Sequence, residues 1–477
     1  MDELQEAIGF DGAHPVDLKR LYLTPENRLH VHYVASSSDE EQLTLTLVPT
    51  STKILRTEQA SINSEAMLLQ WLGSGGHVCP LAKERQRNPE ALEKAPKGSD
   101  AEAKLSKHTC RFKKTLPRVV KHGRVKCPND VEFLLTTRTG GAILSSAINT
   151  LSKPQQRRID FQIGQLIREL STCQSPNGHF GVASAVLKAA GIHHTMFILS
   201  PVPTKQVTND AIYARWSDAF LSLLESVLRD AEDVALSLDY DRLRFHAGRF
   251  RKILDEVTVP CLVILDAGEY ANTHIITSSD CTTRDLEVSM QRHGNTSFGT
   301  EKPQTVAAPL FEANRSARNA QRGNEHGPVP VPVPVPITTR QSPDTPRVIG
   351  IQDWHNSVFG DPLFTSVLTR HKNTDMLDGL MDQTGHVESK AIRQAIHLAK
   401  DFQHVDVRRL LYDCYHSVTT IVTEYYRMTV DGDDRELPAR RRLVQAIVRL
   451  DDLDDHGRKL HPHPCPAHPI AKRKKSG

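Results

Sequence analysis

The chain has 477 residues, of which 38% are hydrophobic and 25% are charged, as expected of a globular protein with some irregular segments. Lys and Arg number 60 and Asp and Glu 57, and this net charge of +3 argues against a general affinity for nucleic acid or for membrane surfaces. No apolar run is long enough to span a bilayer. The eight cysteines form no Cys-x-x-Cys pair, which favours reduced thiols and a cytoplasmic location.

The N-terminal part of the chain is predicted to be rich in strands. Residues 29–34 read as one strand, and residues 43–48 alternate apolar residues with Thr at the period of two that a half-buried strand shows. A helix is predicted next, because apolar residues recur every three or four positions. These residues are Ile62, Ala66, Leu69 and Leu72. Residues 83–109 are polar and contain Pro and Gly, which indicates a loop or insertion.

The middle of the chain is predicted to be helical after one more strand. Residues 131–135 form an apolar strand that ends before a Gly-Gly pair. An apolar helical face recurs along residues 155–170, and a second one runs from Trp216 to Leu228. Both faces are predicted to pack in the core rather than to bind a cofactor.

A segment with few large apolar residues, 279–346, interrupts the second half of the chain. Its Val-Pro repeat at residues 329–336 lacks the backbone donors that a helix or a central strand needs, so we predict a disordered or polyproline-like insertion. Residues 411–425 then carry a long apolar helical face. The basic residues at 472–475 fit a frayed, solvated tail and leave a nuclear signal open.

These elements predict an α+β protein with a small, strand-rich N-terminal lobe and a larger helical C-terminal lobe, with disordered insertions. The predicted bounds are 1–24 for an N-terminal extension, 25–138 for the small lobe with its polar insertion at 83–109, 139–450 for the large lobe with its Pro-rich insertion at 279–346, and 451–477 for a disordered basic tail.

Two short motifs carry a resemblance to a known family. Residues 348–354 read Val-Ile-Gly-Ile-Gln-Asp-Trp, and residues 360–363 read Gly-Asp-Pro-Leu. Together they resemble the Ile-x-Asp-Trp strand end and the following Gly-Asp-Pro of the aminoglycoside phosphotransferase family, which has a two-lobed, protein-kinase-like fold. The resemblance implies that Asp353 binds Mg²⁺ at the edge of a cleft and that Asp361 is structural.

The family's catalytic loop can be aligned with this sequence in two registers. The family pattern is His-Gly-Asp, four residues, and then an Asn that precedes an apolar strand. The register that keeps this spacing puts Glu269 at the catalytic Asp and His274 at the metal-binding Asn, and the spacing favours it. The register that keeps the residue types uses Asp266 and Asn272 instead. Because Mg²⁺ prefers oxygen ligands, His274 would bind it poorly.

The phosphate-binding part of the small lobe departs from the family. Thr46 stands where the family has the strand Lys that holds the ATP phosphates. The Leu-Arg-x-Glu stretch and the helix after it resemble fungal members and identify Glu65 as the helix Glu. Thr136 and Thr137 correspond to the hinge strand, where adenine binds backbone groups. Residues 23–32 contain no glycine, so a phosphate-covering turn is not recognisable.

The resemblance therefore implies an ATP- and Mg²⁺-dependent phosphotransferase with a degraded phosphate-binding site, acting on a hydroxyl of a small molecule. In this hypothesis Glu269 orients or deprotonates the hydroxyl, Asp353 and His274 bind the metal, and Glu65 orients the small lobe. The chain is expected to be a monomer. One alternative is a pseudokinase-like module that keeps a binding pocket without catalysis. Another is a scaffold that acts through the Val-Pro segment and the basic tail.

Overall fold

The structure of the protein is a computed structural model, and its described residues leave out several segments of the chain. They are residues 17–21, 28–36, 42–49, 51–59, 61–75, 116–127, 129–192, 211–277, 345–370, 374–382 and 402–460. The elements named below all belong to one compact unit. The insertion predicted at 83–109, the Val-Pro repeat and the tail beyond residue 460 lie outside the described residues.

An antiparallel sheet and one helix make up the small lobe. The five strands have the order β1-β2-β3-β5-β4. They are β1 (Asp17–Leu21), β2 (Val31–Ser36), β3 (Gln42–Leu47), β4 (Val119–Cys127) and β5 (Asn129–Thr137), and the helix α1 (Ser61–Gly73) follows β3. The strand β1, which pairs with β2, lies within the stretch predicted as an N-terminal extension.

The alternation of side chains in this sheet explains how the small lobe packs. Leu43 and Leu45 of β3 form a core cluster with Phe133 of β5. Leu134, the next residue of β5, points to the opposite face and packs with Ile62 and Ala66 of α1. A period of two therefore gives each face its own apolar layer, and α1 covers one of them.

The large lobe combines helices with two small antiparallel sheets, ordered β10-β9-β6 and β7-β11-β8. Its strands are β6 (Ala142–Ile143), β7 (Gly181–Val182), β8 (Cys261–Ile264), β9 (Thr273–Ile276), β10 (Arg347–Ile351) and β11 (Ser357–Gly360). Its helices are α2 (Leu144–Ala147), α3 (Lys153–Leu170), α4 (Ala183–Ala189), α5 (Trp216–Asp233), α6 (Tyr240–Arg249), α7 (Arg251–Leu254), α8 (Ser366–Arg370), α9 (Thr374–Met381), α10 (Phe402–Tyr426) and α11 (Gly432–Asp451).

The apolar faces predicted for α3, α5 and α10 are buried in one large core, except for Tyr425 at the end of the α10 face, which is 49% exposed. Trp216 and Phe220 of α5 pack against Phe364 and Tyr412, and the Trp216 indole N–H donates to the Tyr412 hydroxyl at 2.7 Å. The prediction that these faces are core is confirmed, because every residue of the α5 face is buried.

Two glycines let α3 and α9 cross with their backbones in contact. A Cβ on Gly164 would clash with the carbonyl oxygen of Met376, and a Cβ on Gly379 would clash with the carbonyl oxygen of Phe161. This close crossing fixes α3, whose other face supports the loop between β8 and β9 through Ile163.

The architecture confirms the predicted α+β fold with two kinase-like lobes. A small antiparallel sheet with one helix after its third strand precedes a larger helical part. The two strand pairs β8–β11 and β9–β10 carry the predicted catalytic loop and the strand that leads to Asp353. Within the described residues, no helix is both long enough and apolar enough to cross a membrane.

Candidate functional site

The loop between β8 and β9 brings the predicted catalytic residues to the inner side of the large lobe. Its turn is made at Gly268, which has a φ of +87° and whose missing Cβ would lie 2.5 Å from the Ile163 side chain. Both facts require glycine at this position. The Leu265 N–H donates to the carbonyl of Asn356 at 2.8 Å, which ties this loop to the segment that follows Asp353.

Asn272 locks the backbone of Asp353. Its Oδ1 accepts from the Asp353 N–H at 2.8 Å, and its Nδ2 donates to the Asp353 carbonyl at 3.1 Å. Both residues are buried, so these two bonds hold the peptide firmly. The amide of Asn272 is thereby committed to the backbone through both its oxygen and its nitrogen.

The carboxylate of Asp353 lies among three histidines. Nδ1 of His355 is 2.5 Å from its Oδ1, and Nδ1 of His30 is 3.2 Å from its Oδ2. Nε2 of His32 is 3.8 Å from the same Oδ2. The helix residue Glu65 completes the group, because its Oε2 is 3.7 Å from His30 Nδ1 and its Oε1 accepts from the Trp354 N–H at 3.2 Å.

Burial and mutual charge set the protonation of this cluster. Burial raises the pKa of Asp353, but His30 and His355 outweigh that effect and hold it well below its usual range. Burial lowers the pKa of His355, but the Asp353 carboxylate more than offsets this and the pKa is about 9. Burial and then the charge of Asp353 raise the pKa of Glu65 well above its usual range. The protein alone thus favours an Asp353 carboxylate paired with a His355 cation.

His274 lies on β9, and its side chain is turned away from this group. Its Nε2 is 2.7 Å from Gln352 Oε1, and its Nδ1 is 3.2 Å from the carbonyl of Gly140. Both ring nitrogens therefore have protein partners. Its role as a metal ligand stays a prediction. In the structure its side chain links β9 to the turn at Gly140.

Glu269 lies at the edge of the site with its carboxylate engaged. Its Oε1 accepts from the Ser366 hydroxyl at 2.5 Å and lies 2.7 Å from Nη1 of Arg370. Asp266 differs, because its Oδ1 is buried and has no hydrogen-bond partner among the described residues. Burial and then the nearby Asp353 charge raise the pKa of Asp266 to about 6. Of the two registers, the one through Asp266 supplies a carboxylate without a hydrogen-bond partner among the described residues.

The small-lobe residues that the resemblance assigns to nucleotide binding, Thr46, Thr136 and Thr137, also have partners within the protein. The hydroxyl of Thr46 is 3.0 Å from Nδ1 of His32, so these two side chains fill the place where a strand Lys would extend. The N–H of Thr137 donates to the carbonyl of Arg118 at 2.9 Å, while Thr136 lies in the β5 ladder opposite Thr44. Adenine contacts by Thr136 and Thr137 stay a prediction.

Arg28 is a further residue of the site that no sequence motif predicted. It precedes β2, lines the same space as Asp266, and has its Nε and Nη1 buried without hydrogen-bond partners among the described residues. Buried guanidinium nitrogens without partners are costly unless an anion binds them. No motif marked Arg28, and its position just before His30 and His32 becomes informative only when the strands are placed in space.

A cleft of about 720 Å³ opens beside these residues. Arg28, Asp266 and Asp353 line it together with residues of α10 and α11. The lining threonines of α10 are Thr419, Thr420 and Thr423, and the arginines contributed by α11 and the turn before it are Arg427, Arg435 and Arg442. The size suits a small molecule, and the lining suits one with several polar groups.

The donors around Asp353 do not fit the oxygen-rich Mg²⁺ site that the resemblance implies. Mg²⁺ is bound by carboxylates, phosphates and waters. Here Asn272 is committed to the Asp353 backbone, and the nearest side-chain donors include the imidazoles of His30 and His355. Imidazole favours other divalent metals.

The strand order and the helices give the two-lobed, kinase-like α+β fold that the sequence predicted. No protein-family model matches the chain, and no curated protein matches it either. Among solved structures, the chain is similar to a protein of Haemophilus somnus assigned as a fructosamine-3-kinase, with a TM-score of 0.40, 10% identity, and coverage of 93% of this chain and 96% of that one.

Two further solved structures are similar at the same level. The ternary complex of APH(2'')-IIa with streptomycin and ATP has a TM-score of 0.36, 12% identity, and coverage of 93% of this chain and 94% of that one. The aminoglycoside phosphotransferase APH(2'')-Ib with ADP bound has a TM-score of 0.33, 12% identity, and coverage of 96% of both chains. At these values the fold assignment rests on the strand order and the placement of the site loops.

Proposed function

We propose that this protein is a phosphotransferase that moves the terminal phosphoryl group of ATP to a hydroxyl of a polar small molecule bound in the cleft. The observation that carries the proposal is Asp266, an unengaged carboxylate at the end of β8 that lines the cleft beside Asp353. A general base works best when its pKa lies near the operating pH, and the pKa of Asp266 is about 6.

In the proposed reaction the substrate hydroxyl oxygen attacks the γ-phosphorus of ATP. The bond between that phosphorus and the bridging oxygen breaks, ADP leaves, and the hydroxyl proton passes to the carboxylate of Asp266. Glu269 keeps a positioning role, because its carboxylate is held by Ser366 and Arg370. This catalysis is mostly positioning and electrostatic stabilisation.

Arg28 is proposed to supply the phosphate-binding charge that Thr46 cannot. Its Nε and Nη1 are the unpaired donors of a planar fork that suits phosphate oxygens. They lie in the segment before β2, and Arg28 lines the same cleft as Asp266. Arg28 is therefore proposed to replace the charge of the missing strand Lys from outside the sheet.

The test is ADP release with a panel of polyhydroxylated compounds, with Mg²⁺ and Mn²⁺ supplied separately. We expect Asp266→Asn to lower turnover at least 100-fold while ATP still raises the melting temperature. Arg28→Ala should weaken ATP binding at least tenfold. Asp375→Asn and Arg229→Ala change exposed side chains and serve as matched controls. Equal turnover in Asp266→Asn and the wild type would refute the assigned base.

A second candidate function is a binding module without catalysis. It is favoured by the engagement of Asn272 and His274 with protein partners and by the bond between Thr46 and His32. In that case polar compounds raise the melting temperature through the cleft, and no compound of the panel gives ADP release with either metal. Turnover that depends on Asp266 would exclude this candidate.

A further inference from the structure

Four side chains from three parts of the chain converge at the junction of the lobes. They are His30 before β2, Glu65 of α1, and Asp353 and His355 after β10. Each presents one ligand atom, and these atoms all lie within 4.8 Å of one another. Residues so far apart in sequence come together only because the fold brings β2, α1 and the end of β10 to one point.

The spacing of these atoms suits a bound ion. With metal bonds of about 2.1 Å, the ligand atoms of a tetrahedral site lie about 3.4 Å apart. His30 Nδ1 is 3.2 Å from Asp353 Oδ2 and 3.7 Å from Glu65 Oε2. His355 Nδ1 lies closer, 2.5 Å from Asp353 Oδ1. A shift of about 1 Å would bring this distance to the spacing of a tetrahedral site.

Two buried atoms in this cluster lack partners, which points independently to a ligand. Glu65 is 3% exposed, and its Oε2 has no hydrogen-bond partner among the described residues. Nε2 of His32, which faces Asp353 from 3.8 Å, is likewise buried and without a hydrogen bond in the described part of the chain. A buried polar atom left unpaired is costly, and a cation between these groups would satisfy Glu65 directly.

Outer contacts hold the ligands in orientation, as is usual around metal centres. The far nitrogen of His30, Nε2, is 3.0 Å from the Ser61 hydroxyl. The other oxygen of Glu65 accepts from the Trp354 N–H, and Asn272 fixes the backbone of Asp353. His30 and Glu65 are thus anchored on the side away from the shared centre, and Asp353 is held through its backbone.

From this geometry we infer that His30, Glu65, Asp353 and His355 bind one divalent transition-metal ion, of the Zn²⁺, Co²⁺ or Mn²⁺ type, in preference to Mg²⁺. Two imidazoles and two carboxylates form a mixed nitrogen and oxygen set, which suits these ions, whereas Mg²⁺ selects oxygen ligands. The site does not depend on the proposed phosphotransfer, because the ion binds to protein ligands alone and its binding is measured without ATP or substrate.

The competing explanation is that the cluster is complete without a metal. The Asp353 carboxylate would then be paired with protonated His355, and protonated Glu65 would need no cation. This explanation predicts no stoichiometric metal binding by the folded protein. Metal binding and its absence therefore separate the two explanations.

The experiment uses metal-free full-length protein in which a separate cluster of possible ligands has been removed. His461→Ser, His463→Ser, Cys465→Ser and His468→Ser are introduced together as this background, because these residues could bind metal themselves. Equilibrium dialysis with Zn²⁺, Co²⁺, Mn²⁺ and Mg²⁺ gives stoichiometry and affinity. We expect about one equivalent of Zn²⁺ or Co²⁺, bound at least 100-fold more tightly than Mg²⁺, and a higher melting temperature with Zn²⁺.

Variants locate the site. Glu65→Gln and His355→Asn should each weaken Zn²⁺ binding at least tenfold, whereas His246→Asn should leave it unchanged. His246 is the matched control, because it is also a buried histidine beside a carboxylate, with Nε2 3.0 Å from Asp451 Oδ1. Circular dichroism checks the folding of each variant.

The visible spectrum of bound Co²⁺ gives a readout that needs no variant. Coordination by imidazole and carboxylate in a four-coordinate site gives absorption that Co²⁺ in water does not show. Absence of that absorption, binding of Mg²⁺ as tight as that of Zn²⁺, or unchanged Zn²⁺ affinity in both folded ligand variants would each overturn the inference.

Discussion

Replacing Asp361 should destabilise the large lobe strongly, because its carboxylate neutralises a buried arginine. Nη1 of Arg408 donates to Asp361 Oδ2 at 2.8 Å, and both side chains are at most 1% exposed. The Tyr412 hydroxyl donates to the same oxygen at 2.8 Å, and the Leu363 N–H donates to Oδ1 at 3.1 Å. The sequence motif Gly-Asp-Pro thus braces α10 against the segment after β11.

The size of the effect follows from what the substitution leaves behind. Asp361→Ala leaves Arg408 as a buried cation whose Nε and Nη2 already lack hydrogen-bond partners among the described residues. Removing one partner of a buried ion pair costs about 3–5 kcal/mol. The exposed pair of Arg157 and Asp375 provides the contrast, since Arg157 is 74% exposed and such pairs contribute about 0–1 kcal/mol.

Urea unfolding followed by tryptophan fluorescence measures both losses, since Trp216 donates to Tyr412 within this network. We expect about 3–5 kcal/mol for Asp361→Ala and below about 1 kcal/mol for Asp375→Ala. The double variant Asp361→Leu with Arg408→Met should recover much of the loss, because it removes the buried charge as well. A loss in Asp361→Ala no larger than in Asp375→Ala would refute the reasoning.

Three further predictions concern packing, acid stability and thiol reactivity. Gly164→Ala should lower the free energy of unfolding by at least about 1–3 kcal/mol, because its Cβ would meet backbone atoms of α9. In Gly248→Ala the new Cβ meets nothing within 4 Å, so this variant should not be destabilised in thermal unfolding. Burial, and then the charge of Arg370, lower the pKa of His416 to about 3. The stability that neutral His416 contributes above pH 6.5 should therefore fall as the pH drops below that value, by about 1.4 kcal/mol per pH unit. His416→Gln should remove this part of the pH dependence of the free energy of unfolding. Burial raises the pKa of the Cys261 and Cys414 thiols, so alkylation followed by mass spectrometry should label them only after unfolding, and labelling of the native protein at either position would contradict this.

The fold was largely predictable because its elements carry strong periodic signals. The apolar periodicity of α5 corresponds to its buried face. The Leu-Thr alternation located the strand β3, but the prediction that β3 is half-buried was wrong, because Thr44 and Thr46 are buried as well as the Leu residues. Residues 348–354 gave β10 and the position of Asp353 at its end. Such local patterns survive in a single sequence, since the period of two or 3.6 residues follows from the backbone geometry itself.

The site was less predictable, because its contacts join segments distant in sequence. His30 and Asp353 are 323 positions apart, and no sequence pattern predicts that they meet. The loop register could not be decided from spacing either, since Asp266 and Glu269 lie three positions apart on one turn. Only the engagement of Glu269 by Ser366 and Arg370 distinguishes them. No pattern predicts Arg28 either, because the residues that share its cleft come from distant segments of the chain.

The departures of this site from the kinase pattern are connected rather than independent. A lysine at position 46 would extend into the space where the Thr46 hydroxyl now meets His32 Nδ1, and the other nitrogen of His32 faces Asp353. Nδ1 of His30 lies 3.7 Å from Glu65 Oε2. These contacts link the position of the missing strand lysine to the histidines around Asp353. Under the two proposals, Arg28 supplies the charge that holds phosphate, and the carboxylates at the lobe junction form a cation site lined by nitrogen and oxygen.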